Sequence, residues 1–208
     1  MATSAKRAEL LAPAGSWDSM VAAVQSGADA VYMGAGAFNA RRSAKNFDDE
    51  SFPRAVAYCH LRGVKVYLTL NTLVTDRELP AYLEAAGEAA RAGVDALIVA
   101  DLGGAAAIHR VYPELELHAS TQMSGHNAQM GHELQKMGFS RVVLSRELSL
   151  EDITYIRENT NVELEVFIHG GMCVSYSGRC MLSNNMTNRD ANRGGCAHSC
   201  RWCYNIYD

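Results

Sequence analysis

The sequence predicts an α/β protein of the (β/α)8 TIM-type barrel class, stopping after its seventh strand and carrying a Cys-rich C-terminal segment. Three observations predict it. Short apolar runs recur near residues 9, 30, 65, 96, 115, 141 and 162. Gly27, Gly63, Gly93 and Gly138 each stand shortly before one of these runs, and a glycine just past a helix end followed by an apolar β-branched run marks an αβ loop. Alanine-rich amphipathic stretches fill the intervals, and repeated βα units build a parallel sheet. No GxGxxG follows the first strand, which weighs against a dinucleotide-binding sheet. A closed barrel takes eight strands and about 250 residues. A chain of 208 residues with seven strands therefore reads as a fragment or a truncated form.

Taken in order, residues 10–15 form a short apolar strand ending in a turn. Ser16 caps a helix over 17–25. Gly27 closes that helix, and Ala30 begins the second strand. Residues 55–60 read as helix, with Cys59 on its packed side. Strands follow at 64–70, 96–100, 115–120, 142–144 and 162–169, with helices over 78–91 and 129–137. Ser149 with Asp152 three residues on starts another helix. Residues 1–169 form the barrel domain and 170–208 the Cys-rich segment.

Composition narrows the class. At 48% hydrophobic and 20% charged residues, the chain buries a substantial core. No run of about 18 apolar residues spans a membrane, and the polar N-terminus lacks the apolar stretch of a secretory signal. A cytoplasmic, reducing location is expected, where clustered cysteines are metal ligands or catalytic groups rather than disulfides. The net charge of −4 gives no global sign of nucleic-acid binding but leaves room for a local basic patch.

In such barrels chemistry gathers at the C-terminal strand ends. Those ends carry Arg41, Arg42 and Lys45; Asn71; Asp101; His118 and Gln122; Arg146 and Glu147; and His169. Adjacent arginines suit a carboxylate or phosphate through bidentate contacts. The alternative is that strand ends turn polar simply where they meet water.

Cys173, Cys180, Cys196 and Cys200 follow the seventh strand, with Cys203 beyond them. Thiolates select zinc, copper(I) or iron–sulfur clusters. Only Cys200 and Cys203 make a CxxC knuckle, so a zinc ribbon is the less natural reading. A [4Fe–4S] cluster accepts four cysteines at irregular spacing. Arg179, Arg189, Arg193 and Arg201 stand in the same stretch, where cations offset a thiolate cluster. Unligated cysteine and a Cys/His nucleophile with His169 or His198 are the alternatives. No Ser-His-Asp or HExxH pattern is visible.

These residues also carry a resemblance. ELLAPAG at 9–15, GADAVY at 27–32, NTL at 71–73, HASTQ at 118–122, RELS at 146–149, HG at 169–170, ANRG at 191–194 and CRW at 200–202 resemble the peptidase U32 family from residue 9 onward. The resemblance implies a barrel. It also implies collagenase-like proteolysis or, in other members, hydroxylation of a tRNA wobble uridine to 5-hydroxyuridine, of a 23S rRNA cytidine, or of ubiquinone. It implies a four-cysteine iron–sulfur site at Cys173, Cys180, Cys196 and Cys200, with Cys203 as a spare ligand. The expected function is iron–sulfur-dependent RNA hydroxylation on tRNA or rRNA. Arg41, Arg42, His118, Gln122 and His169 would position a small anionic co-substrate or the target base. A U32 peptidase and a non-catalytic zinc-bearing scaffold are the rivals.

Overall fold

A computed structural model describes residues 7–40, 45–171 and 173–205. Seven strands alternate with helices: β1 (Leu11–Pro13), α1 (Trp17–Gln25), β2 (Ala30–Met33), α2 (Ser51–His60), β3 (Lys65–Leu70), α3 (Leu79–Ala92), β4 (Ala96–Val99), α4 (Leu102–Val111), β5 (Glu116–Ala119), α5 (Ala128–Lys136), β6 (Phe139–Val143), α6 (Leu150–Glu158) and β7 (Glu163–Glu165). The strands pair in sequence order, every pair parallel. The sheet curls into an open half-barrel with β1 and β7 as its edges. Pro13, which lacks a ladder N–H, is tolerated on edge strand β1.

The helix boundaries follow from local chemistry. Ser16 caps α1 and exchanges hydrogen bonds with Ser19 in a capping box. Ser149 and Asp152 do the same for α6. Gly27, Gly63, Gly93 and Gly138 all hold left-handed backbone, with φ between 71° and 94°, a conformation glycine adopts without steric cost.

The two faces of the sheet differ in chemistry. Val31, Met33, Val66, Leu68, Leu70, Leu97, Val99, Leu117 and Val142 point outward and form the main core with the helices. The concave face holds a small apolar patch of Ala30, Tyr67, Ala96 and Ile98, beside buried His118 and Arg141. A bulge between β5 and β6 sets this placement. Leu117 pairs with Phe139, but His118 pairs with Arg141, so Ser140 is surplus.

Three expectations are corrected. Strand β7 ends at Glu165 rather than 169, because its ladder with β6 stops at the Val143–Glu165 pair; Val166, Phe167 and Ile168 beyond it are exposed. His118 lies inside β5, not at its end, and its side chain enters the concave interior because Leu117 and Ala119 occupy the helix-facing side. Beyond β7, a further helix, α7 (Leu182–Thr187), and 3-10 turns at Ala191–Arg193 and Ser199–Arg201 give the Cys-rich segment more secondary structure than its loop-like composition predicts.

Candidate active site at the C-terminal mouth

The Cys-rich segment lies across the C-terminal end of the half-barrel, attached at two places. Arg193, in the 3-10 turn before Gly194, forms an ion pair with Glu78, next to the start of α3. That guanidinium, with help from Thr75, pushes the Glu78 carboxyl down to about 2. The second attachment is a polar network built from three loops, centred on Ser177.

Ser177 is 1% exposed. Its hydroxyl accepts from Arg146 Nε at 3.2 Å and donates to Glu147 Oε1 at 3.2 Å. Its backbone N–H also donates to Glu147, at 3.1 Å. Its carbonyl accepts from Ser124 Oγ at 2.6 Å, and Ser124 Oγ in turn accepts from Arg179 Nε at 3.1 Å. Ser124 holds left-handed backbone, φ 59°, a strained state for a non-glycine residue that persists only where surroundings fix it. Gly178 seals the joint. Its φ is 75°, and a Cβ there would lie 2.1 Å from the Gln122 carbonyl oxygen.

His126 completes the network. Its Nδ1 donates to the Ser124 carbonyl at 2.7 Å and lies 3.1 Å from Ser145 Oγ. Its Nε2 lies 3.6 Å from Glu147 Oε2. The imidazole is one-third exposed, and the Tyr176 ring stands 6.1 Å away. A histidine fixed at one nitrogen and faced by a carboxylate at the other is the arrangement used for acid–base transfer. Sequence reading missed His126, which sits in a loop without periodicity. Its only sequence signal is its place just after β5, one strand over from Glu147.

The expected site residues divide. Arg41 and Arg42 fall outside the described residues. Gln122 lies in the 3-10 turn Thr121–Met123, under Gly178 and next to the network. His169 is exposed beyond β7. His118 is 1% exposed and packs edge-on to Tyr67, with centroids 4.7 Å apart. Burial pulls its pKa down, opposed by its 3.4 Å contact with Glu116 Oε1. No hydrogen bond or ion pair joins His118, Gln122 and His169 among the described residues.

All six cysteines are free thiols. Cys59 is buried in the core, where desolvation pushes its thiol up to about 11, the inert state of a packing residue. Cys180 is half-buried and held at both backbone atoms by the Asn192 amide. Cys173, Cys196, Cys200 and Cys203 are exposed. Cys196 Sγ accepts the His198 N–H at 3.4 Å. Among the described residues no three His, Cys, Asp or Glu groups converge on a metal position. The donor set, free thiols with an N–H···S bond in a single lobe, fits a thiolate-bound group in its chemistry.

Residues 15–208 match Peptidase family U32. The chain belongs to that family. It is 43% identical over 205 residues, 97% of its own length and 48% of the relative's, to tRNA hydroxylation protein P1 of Bacillus subtilis. It is 41% identical over 210 residues, 100% of this chain and 31% of the relative, to the 23S rRNA 5-hydroxycytidine C2501 synthase of Escherichia coli. The chain thus spans half or less of the length of these relatives. Among solved structures the U32 peptidase Mk0906 shares the fold, with a TM-score of 0.65 and 16% identity over 80% of this chain and 70% of that one.

Proposed function

We propose that this chain is the barrel portion of an RNA hydroxylase acting in the cytoplasm on a tRNA wobble uridine or a 23S rRNA cytidine. The observation that carries the reading is the Ser177 network. It fastens the segment between Cys173 and Cys180 to the barrel mouth and places a solvent-accessible His126 beside it, in a family several of whose members are named for RNA hydroxylation and others as proteases. Cys173, Cys180, Cys196 and Cys200 would hold a [4Fe–4S] cluster, with Cys203 as an alternative ligand. Bound there, such a cluster supplies electron transfer. Arg146 and Glu147 keep the loop seated. Gln122 offers its amide near the mouth, and His126 moves a proton at Nε2. Arg41 and Arg42 would take a small anionic co-substrate.

Two measurements test this. Anaerobic purification followed by iron and sulfide analysis should return about four of each per chain, with the charge-transfer absorption of a cluster. Zinc in their place supports the scaffold reading. Nucleoside analysis of RNA from a deletion strain should show loss of a hydroxylated pyrimidine. An unchanged profile, together with gelatin cleavage by the purified protein, supports the peptidase reading.

A further inference from the structure

Residues 173–205 present aromatic rings to solvent: Tyr176 is 64% exposed, Trp202 46% and Tyr204 54%. Tyr204 is held by its hydroxyl, which donates to the Ser199 carbonyl at 2.7 Å. Its ring is therefore a fixed surface rather than a loose one. Residues 170–208 contain four arginines and no lysine, against only Asp190 and Asp208, in a chain whose net charge is −4. Exposed Arg179 is three residues from Tyr176, Arg201 adjoins Trp202, and Arg189 is exposed at the end of α7. The lobe packs α7 against both 3-10 turns and is joined to the barrel mouth through Ser177 and Arg193.

Exposed rings interleaved with arginines on a locally basic lobe of an acidic chain form the pattern that binds single-stranded nucleic acid. Bases stack on the rings, and the guanidiniums meet phosphates. We infer that Tyr176, Trp202 and Tyr204, with Arg189, form a stacking platform that receives unpaired nucleotides flanking the target base. The inference rests on the RNA reading above and names the surface that would carry it. Tyr176, next to the Ser177 attachment, stands 6.1 Å from His126, so a base stacked on that ring has its neighbour at the mouth.

The sequence supplies its own reporter. Its two tryptophans are Trp17 and Trp202, and Trp17 lies on α1, beside Tyr58 of α2. In a Trp17→Phe background, titration of the full chain with an unpaired pyrimidine-rich RNA oligonucleotide should quench Trp202 emission. Trp202→Ala should weaken binding about tenfold, Trp202→Phe should restore most of it, and Arg189→Gln should lower the salt slope by about one. Circular dichroism should match wild type in each case. RNA binding with unquenched Trp202 and full affinity in Trp202→Ala overturns the platform while leaving the RNA reading intact. Absence of RNA binding by the wild-type chain overturns both. A blue-shifted Trp202 in a sedimenting dimer, insensitive to RNA, assigns the face to a second copy and overturns the platform.

Discussion

The half-barrel holds two polar networks, one inside the curl and one at its mouth, and they are built in opposite ways. The inner one draws on strands. Arg141 of β6 donates to Glu9 at 2.7 Å and Glu163 at 2.7 Å, and faces Glu165 at 3.6 Å. Glu9 also accepts from the Tyr67 hydroxyl at 2.8 Å. Burial alone would pull the Arg141 pKa down, but Glu163 and Glu9 outweigh it and raise it. The mouth network draws on loops, holds its arginines through hydroxyls and carbonyls, and leaves His126 open to water. The inner cluster is built from strand side chains that face one another, and its one atom without a hydrogen-bond partner, on Glu165, is buried. The mouth cluster instead ends at an imidazole that water reaches.

The sharpest test of this division is Arg141→Met. Glu163 and Glu165 lose the guanidinium they face and Glu9 keeps only Lys65, and the expected cost is about 3 kcal/mol, read as a fall in the midpoint of denaturant unfolding. An unchanged midpoint would show that the inner network is not scaffold.

Gly178→Ala should do the reverse. The added methyl meets the Gln122 carbonyl, and the left-handed backbone adds about 1–3 kcal/mol of strain. The lobe should lift from the mouth, and the hydroxylation proposed above should fall at least tenfold. The sheet should keep its unfolding midpoint within about 1 kcal/mol.

Glu165 supplies a pH test confined to the inner network. Burial pushes its carboxyl up to about 7, and one Oε atom is buried without a hydrogen-bond partner. The folded state then holds a proton that the unfolded chain releases, so this group costs stability as pH rises from about 4.5 to 7. Glu165→Gln should therefore be near neutral at pH 5 and stabilising at pH 8, on the order of 2 kcal/mol. Equal effects at both pH values would contradict the assignment.

The smallest effect belongs to the Glu78–Arg193 tie. Glu78 has a lowered pKa, so its contribution is present near neutrality and fades as pH falls from about 4.5 toward 2. Glu78→Gln should leave global unfolding unchanged but speed proteolytic nicking within residues 173–205, measured by mass spectrometry of the fragments.

The two networks were unequally legible in the sequence. The strands and several helix ends were readable because the cues are local: Gly27, Gly63, Gly93 and Gly138 take the positive φ that their position after a helix implies, and Ser16 and Ser149 form the caps their spacing implies. The side to which His118 points was not readable, since alternation fixes a face only once the apolar neighbours are known to meet helices. His126 was hidden for another reason. Its partners Ser124, Ser145 and Glu147 come together through the pairing of Gly125 with Leu144, a contact between loops that no periodicity announces. The thiols were legible as a group, but their placement depends on α7 and its turns, whose composition reads as loop.

The surplus residue Ser140 has a consequence for changes in chain length. Because two residues of β6 oppose one of β5 at that point, the strand enters and leaves the irregularity with its inside and outside positions out of step. Deleting Ser140 would make the strand regular while keeping Phe139 and Val142 toward the helices and Arg141 toward the interior, with the Ser140 hydroxyl's bonds to Glu116 and the Leu117 carbonyl as the local loss. Deleting Val142 instead would turn Val143, the last residue of β6, and the chain that follows it to the opposite face. One strand thus carries, two residues apart, a position where a lost codon should be absorbed and one where it should be ruinous.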